Sequence, residues 1–109
     1  MSPKPQLLRG RVYAATLHAD IGEKYFLVVS NNQRNRQLPQ ALAVRISTSA
    51  KPSMPSIVAL HVGEPVVGNV ICDDILELYP DEVRQDLGAL SPATMRRVGA
   101  GLKVALGLQ

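Results

Sequence analysis

The chain has 109 residues, of which 46% are hydrophobic, one cysteine and a formal net charge of +3. This length suits a single domain with its own hydrophobic core, and a lone cysteine excludes an internal disulfide framework. No apolar run approaches the ~20 residues that cross a bilayer, and residues 1–5 lack the hydrophobic core of a secretion signal, so we expect a soluble, cytoplasmic protein.

The charge is distributed unevenly along the chain. Residues 1–51 carry eight basic and two acidic side chains, whereas residues 52–109 carry four basic and seven acidic ones. A positive half is typical of a protein that contacts the phosphates of a polyanion, and equally typical of a solvated face on a basic protein. Charge alone leaves both interpretations open.

Short strands are predicted through most of the chain. Hydrophobic alternation and turn residues indicate strands at 9–17, 25–30, 41–48, 57–62 and 68–76. The apolar run 25–29 suits a strand that is buried on both faces. In the next strand, Arg45 and Ser47 are two residues apart and therefore share a face.

Two helices are predicted after residue 78. Pro80 and the two acids that follow it indicate a short helix that extends to Leu87. The last helix is clearer, because Ser91 is a good N-cap, Pro92 suits the first helical position and Gly107 can end the helix. One apolar stripe of this helix is expected to pack on the sheet; it consists of Met95, Val98, Leu102 and either Ala105 or Leu106.

Polar residues with chemical potential lie in several places. The segment 31–36, expected to be a loop, carries amides and two arginines suited to phosphate, but Asn31 and Asn32 also fit plain turn chemistry. Asp73 and Asp74 offer oxygen ligands to a metal, yet neighbouring strand residues point to opposite faces, which disfavours a metal mechanism. Cys72 is expected to be a packed thiol.

His18 and His61 are a candidate acid and base for phosphodiester cleavage. Nothing in the sequence places them together, and a histidine in a loop is more often a plain surface residue. The sequence contains no metal-binding motif and no phosphate-binding glycine loop, so neither a metal nor another cofactor is expected.

Six segments, taken in order, resemble one family. They are RGRVY at 9–13, KYFLVVSNN at 24–32 followed by RN at 34–35, AVRIST at 43–48, DDI at 73–75, LG at 87–88 and LSPATM at 90–95. In order and spacing they resemble the MazF/PemK toxin endoribonucleases over residues 8–108. The resemblance is closest to the short mycobacterial and other actinobacterial members.

The resemblance implies a mainly β fold: a small SH3-like antiparallel barrel of the CcdB/PemK type with a C-terminal α-helix. It implies one domain over 1–109, with 1–7 as a flexible tail, in a homodimer that binds single-stranded RNA in a basic groove. The protein is then the toxin of a type II toxin–antitoxin system, and an antitoxin restrains it. Loops 18–23 and 49–55 are expected to read the bases.

The resemblance also implies the reaction and its residues. The ribose 2′-OH attacks its own phosphate without metal, leaving a 2′,3′-cyclic phosphate and a 5′-OH, in mRNA or in rRNA or tRNA. Many members use an arginine before the central strand and a Thr or Ser at the end of the next, and these positions fall on Lys24 and Ser47. Thr48 and Asp74 are expected to support catalysis, Asp74 by reading a base or orienting the 2′-OH. The expected RNA-binding residues are Arg11, His18, Arg34, Asn35, Arg36 and Arg45.

Lysine at position 24 departs from the family's arginine. An ammonium exchanges protons more readily than a guanidinium but grips phosphate oxygens less firmly. Lys24 is thus expected to stabilise the pentacovalent phosphorane and to take part in proton transfer, while Ser47 donates a hydrogen bond. Two alternatives stay open: a noncatalytic, CcdB-like gyrase inhibitor and an inactive binding module of the same fold.

Overall fold

A computed structural model describes residues 6–18, 21–49 and 51–108. In these ranges six strands form one antiparallel sheet, in the order β4-β5-β3-β2-β1-β6. The elements, in chain order, are β1 (Arg11–Thr16), β2 (Glu23–Val28), α1 (Asn32–Gln37), β3 (Ala41–Ser47), β4 (Ile57–Ala59), β5 (Asn69–Leu78), a 3₁₀ turn (Pro80–Glu82), β6 (Val83–Ala89) and α2 (Pro92–Leu106). The predicted mainly β fold with a C-terminal helix is confirmed.

The two faces of the sheet carry separate hydrophobic clusters. One cluster includes Leu27 and Val44 and packs against Val98 of α2. The other lies on the opposite face and includes Phe26 and Val28. Because consecutive residues of β2 alternate between the faces, this strand contributes to both clusters, which confirms the prediction that it is buried on both sides.

Two local predictions are wrong. The segment 31–36, expected to be a loop, mostly forms α1: the Asn31 side chain accepts a hydrogen bond from the Arg34 N–H, and the Gln and Arg residues that follow are good helix formers. The helix expected from Pro80 to Leu87 stops after one 3₁₀ turn and continues as β6, which pairs with β1. Pairing of β6 with β1 at the edge of the sheet outweighs the helix-forming tendency of Pro80 and the two acids that follow it.

The C-terminal helix forms as predicted. Ser91 caps it by accepting from the Thr94 N–H, and the left-handed residue Gly107 ends it. Gly101 lies on the face of α2 that packs against the sheet, and a Cβ at this position would lie 2.8 Å from the Cys72 Sγ. Cys72 is the packed thiol that was expected, and its burial raises the pKa of the thiol to about 11.

Some predictions lie partly outside the described residues. The tail 1–7 is described only at its last two residues, of which Leu7 is 3% exposed and belongs to the second cluster. The two loops expected to read bases, 18–23 and 49–55, each include residues outside the described ranges. In the described part of the chain, no helix is both long enough and apolar enough to span a membrane.

Candidate functional site

The sheet brings Lys24 and Ser47 together. In the β2–β3 ladder Tyr25 pairs with Ile46, so one further step places Lys24 opposite Ser47. Directly opposed residues of an antiparallel pair point to the same face. Both residues line a polar cavity of about 300 Å³, and Arg45 and Thr48 contribute to its wall.

Ser47 is held firmly in this cavity. It is 7% exposed, and its Oγ accepts a hydrogen bond from the Ser49 N–H at 3.2 Å. Behind it lies Gly68, whose φ of 128° favours glycine and where a Cβ would lie 2.5 Å from the Ser47 carbonyl oxygen. Since the Oγ already accepts this bond, the hydroxyl proton is available for donation to a ligand.

Lys24 is exposed at the mouth of the cavity. Its ammonium has no hydrogen bond or ion pair with any residue in the described ranges. A lysine carries three donors and a compact charge, and here both can be directed at an anion that enters the cavity.

A bulge in β5 brings Asp74 to Arg45. Val44 pairs with Ile75 but Arg45 pairs with Ile71, so residues 72–74 lie outside the β3–β5 ladder. The displaced Asp74 accepts a hydrogen bond from Arg45 Nε at 2.7 Å, and the two side chains are 45% and 38% exposed. Bulges of this kind re-aim side chains. The Nε donation leaves the two terminal nitrogens of Arg45 for other acceptors.

The neighbouring carboxylate has a different partner. Asp73 accepts a hydrogen bond from the buried Ser56 hydroxyl at 2.6 Å, and the Cys72 N–H donates to the Ser56 carbonyl. These bonds tie the bulge to the start of β4. The bulge is therefore a fixed part of the structure that presents Asp74.

A second, mostly apolar cavity of about 260 Å³ adjoins the polar one. Lys24 and Arg45 line both cavities, so they stand between them. His18 and Asp74 also line the second cavity, whose apolar wall consists of Leu17, Ile21, Phe26 and Leu76. The structure thus gathers six of the predicted site residues in one place, namely the catalytic residues Lys24 and Ser47, the supporting residues Thr48 and Asp74, and the RNA-binding residues Arg45 and His18.

Four other predicted RNA-binding residues lie elsewhere. Arg11 is four residues along β1 from Ala15, the partner of Lys24, which is about 13 Å at the rise of a strand. The guanidinium of Arg34 donates to the Gln40 carbonyl. Asn35 is buried and exchanges hydrogen bonds with Ser30 in the turn before α1, while Arg36 is exposed beside a different cavity.

One polar cluster was not predicted from the sequence; it consists of Glu64, Ser91, Thr94 and Arg97, and we call it the Glu64 cluster. The Glu64 carboxylate accepts from the Ser91 N–H and hydroxyl, both at 2.9 Å, and from the Thr94 hydroxyl at 2.5 Å. Arg97 in turn donates to Thr94. The sequence contains one signal for this cluster. The helix α2 has an N-cap, but its first turn carries no acidic residue of its own, which leaves room there for a carboxylate from elsewhere in the chain.

The Glu64 carboxylate is held in its charged form. Burial alone would raise its pKa, but the hydrogen bonds from Thr94 and Ser91 and the charge of Arg97 outweigh that effect and lower it below the ordinary value. His61 lines the cavity at this cluster, whereas His18 lines the apolar cavity. The two histidines considered as an acid–base pair therefore lie in different cavities.

An antiparallel sheet with one C-terminal helix, bearing a lysine–serine pair at the ends of two neighbouring strands, is what the toxin resemblance implies. A sequence model described as PemK-like, MazF-like toxin of type II toxin–antitoxin system matches residues 8–106. The chain belongs to this family.

Mycobacterial proteins are among the relatives. Endoribonuclease MazF1 of Mycobacterium bovis and endoribonuclease MazF4 of Mycobacterium tuberculosis are each 42% identical to this chain over 101 residues, which is 93% of both chains. A mycobacterial endoribonuclease solved in complex with its cognate antitoxin is 41% identical, with a TM-score of 0.88 over 94% of this chain and 97% of that one. The Deinococcus radiodurans MazE–MazF complex, at 22% identity and a TM-score of 0.81 over 96% and 99%, shares the fold.

Proposed function

We propose that this chain is a toxin endoribonuclease that cuts single-stranded RNA at short sequences without a metal ion, and that a cognate antitoxin restrains it. The observation that carries the proposal is that Lys24 and Ser47, which lie just beyond the Tyr25–Ile46 pair of β2 and β3, line one polar cavity together with Arg45. Family membership supports it, as do relatives named endoribonucleases and one such relative solved with its antitoxin.

The proposed reaction is an internal displacement at phosphorus. The 2′-OH loses its proton and its oxygen bonds to the adjacent phosphorus, the bond from phosphorus to the 5′-oxygen breaks, and that oxygen takes up a proton. The products are a 2′,3′-cyclic phosphate and a 5′-OH. Such a step needs positive charge or donors on the nonbridging oxygens, a base for the 2′-OH and an acid for the leaving oxygen.

The residues of the site divide these tasks. Lys24, which lines the cavity, supplies positive charge to the nonbridging oxygens and exchanges a proton with a reacting oxygen. The Ser47 hydroxyl donates a hydrogen bond to the same phosphate, supported by Thr48. Asp74 holds Arg45 by its Nε, so that the remaining nitrogens of Arg45 are directed at a phosphate.

RNA binding extends from this centre. Arg45 and His18, which line the cavities, are the proposed contacts to the strand there, and Arg11, Arg34, Asn35 and Arg36 stay predictions for more distant contacts. A homodimer that joins two such surfaces in one groove remains part of the proposal. The class of RNA that is cut, whether mRNA, rRNA or tRNA, depends on the base sequence that the groove recognises.

The test is incubation of the purified protein with a diverse single-stranded RNA pool in the presence of EDTA. We expect fragments that end in cyclic phosphate, and no cleavage where deoxyribose replaces ribose at the cut site, because the attacking hydroxyl is then absent. K24A and S47A are expected to lose about 10²-fold or more in rate. K103A, which removes an exposed lysine of α2, is the matched control and should cut normally.

Each result distinguishes this proposal from its alternatives. An RNA pool that stays intact contradicts the proposal, and inhibition of DNA supercoiling by the same sample would then favour the gyrase-inhibitor alternative. Normal cleavage by both K24A and S47A contradicts the assignment of the site while leaving the activity in place.

A further inference from the structure

The apolar cavity beside Lys24 has the size and lining of a site for one planar ring. Its volume of about 260 Å³ lies just below the ~300–1,000 Å³ of pockets for drug-sized ligands. Phe26 and Leu76 line it with Leu17 and Ile21, and these side chains suit the flat apolar faces of a nucleobase. Single-stranded RNA is read by unstacked bases that enter such pockets.

The polar group that can read a base edge here is the carboxylate of Asp74. One of its oxygens, Oδ2, accepts from Arg45 Nε, and this bond fixes the orientation of the carboxylate. The other, Oδ1, has no bond to any described residue. An ionised carboxylate only accepts hydrogen bonds, and each oxygen has about two lone-pair sites, so Asp74 has capacity for about three more donors, of which a base edge needs two.

Guanine matches this acceptor better than the other three bases. Its Watson–Crick edge carries two adjacent donors, N1–H and the 2-amino group, that can meet both carboxylate oxygens. Adenine and cytosine offer one amino donor beside a ring nitrogen that is itself an acceptor, and uracil offers one N–H between two carbonyls. When an acceptor atom of the base faces a carboxylate oxygen, neither atom has a hydrogen-bond donor. This loss strongly disfavours binding of such a base.

We propose that the apolar cavity binds one guanine of the RNA and that Asp74 determines this specificity by accepting hydrogen bonds from guanine N1–H and the 2-amino group. This inference rests on the proposed endoribonuclease function. Lys24 and Arg45 line both cavities, so the guanine lies next to the phosphate that is cut. Two neighbouring nucleotides of one strand then occupy the two cavities.

The test compares guanine with inosine, which lacks the 2-amino group. Fragment ends from a random RNA pool first locate the preferred position, where we expect guanine next to the cut. Short RNAs with guanine or inosine at that position are then compared, both for cleavage and, with deoxyribose at the cut site, for binding. We expect inosine to weaken binding and cleavage by about tenfold, because it lacks one of the two donors that meet the carboxylate.

The matched variant is D74N, which is nearly isosteric but presents one acceptor and one donor. It is expected to shift the preference at this position from guanine to adenine or cytosine, whose edges pair a donor with an acceptor, and to leave the other positions unchanged. R45K, which keeps the charge but loses the Nε bond, is expected to lower the guanine preference without reversing it.

The outcomes separate this inference from the proposed function. Equal binding of guanine and inosine by the unmodified protein, or an unchanged guanine preference in D74N, overturns the inference even if RNA is cut. If no RNA is cut, short RNAs that contain guanine are compared directly with the same RNAs containing inosine in its place; tighter binding of the guanine RNAs then supports the inference and overturns the proposed function instead.

Discussion

Two polar clusters of this protein are each built around a carboxylate, and they differ in how many of its hydrogen bonds are made. Glu64 accepts three bonds from Ser91 and Thr94 and lies at the start of α2, where a negative charge is favoured. Asp74 accepts one bond, from Arg45, and lines the open apolar cavity.

The difference separates a cluster whose hydrogen bonds are made within the fold from a site that has capacity for a ligand. A cluster whose acceptors are filled by its own protein stabilises the fold and has little capacity left for a ligand. The site around Lys24 keeps an ammonium, a hydroxyl proton and carboxylate lone pairs without partners among the described residues. Those groups are the ones that an RNA phosphate and a base would satisfy.

The largest expected effect comes from removing the charge of Lys24. We expect K24M, which keeps the length of the side chain without its charge, to slow cleavage by about 10²–10³-fold because one stabilising group of the transition state is lost. K24R should stay within about tenfold of the original rate, because the charge on the phosphate is kept. Single-turnover cleavage of one RNA measures both.

The two Lys24 variants also separate charge from proton transfer. A guanidinium hardly exchanges protons near neutral pH. If K24R proves as slow as K24M and loses one limb of the pH–rate profile, then proton transfer and not charge is the main role of Lys24. Both variants should unfold at the original urea concentration, since the side chain is exposed.

The next effect is expected at Gly68, which supports Ser47 from behind. A Cβ here lies 2.5 Å from the Ser47 carbonyl, and the positive φ adds strain, so G68A must displace the end of β3. We expect a loss of about 1–3 kcal/mol in unfolding free energy. Cleavage should slow by about 10²-fold, because misplacing a catalytic group by about 1 Å has effects of that size.

G99A is the matched control for G68A. Gly99 is helical and has open space where a Cβ would stand, so alanine should stabilise α2 by up to about 1 kcal/mol without changing cleavage. The role of Gly68 in positioning Ser47 is contradicted if G68A loses stability but turns over bound RNA at the original kcat. A structural role alone would produce that result.

A smaller effect, on stability alone, is expected at the Glu64 cluster. E64Q replaces a charged acceptor by a neutral amide, and we expect unfolding free energy at pH 7 to fall by about 1.5–3 kcal/mol, the range for hydrogen bonds to charged groups. Cleavage at pH 7 should persist. E23Q, at an exposed carboxylate, is the control and should unfold normally.

The Glu64 contribution has a defined pH dependence. The pKa of Glu64 is lowered in the folded protein from an ordinary value of 4.5, so the unfolded chain binds this proton more readily. Its stabilisation is therefore complete above about pH 4.5 and is lost as pH falls through the folded pKa. Urea unfolding of the original protein and E64Q should differ most near neutral pH and converge in acid. A difference that grows in acid would contradict this assignment.

The sequence alone was enough to predict features that depend on a local residue pattern or on the order of motifs shared with the family. Alternation predicted β2 with both faces buried, and the capping residues predicted α2. The placement of Lys24 opposite Ser47 followed from family order, since no periodicity fixes which strands pair. The structure shows the register between β2 and β3 up to the Tyr25–Ile46 pair, next to which Lys24 and Ser47 lie.

Contacts between distant residues were beyond the sequence. The bulge that brings Asp74 to Arg45 depends on a change of register within β5, and the carboxylate that accepts from the N-cap residue Ser91 belongs to Glu64, 27 residues earlier in the chain. The strand at 83–89 formed where a helix start was present, because pairing with β1 satisfies its backbone. In each case a tertiary partner decided the local structure.

The smallest expected stability effects belong to two nearly identical ion pairs. Arg11 Nε lies 2.9 Å from Asp86 Oδ2, and Arg45 Nε lies 2.7 Å from Asp74 Oδ2; the arginines are 35% and 38% exposed and both carboxylates 45%. At this exposure we expect R11A and R45A each to change unfolding free energy by less than about 1 kcal/mol.

The two pairs should differ in RNA binding, because only Arg45 lines the cavities beside Lys24. Each phosphate contact contributes about one unit to the slope of log affinity against log salt. With RNA made uncleavable by deoxyribose, R45A should lower that slope by about one, and R11A should lower it by less, since Arg11 lies at the far end of β1. Equal losses would place Arg11 in the RNA groove and extend the binding surface along the whole strand.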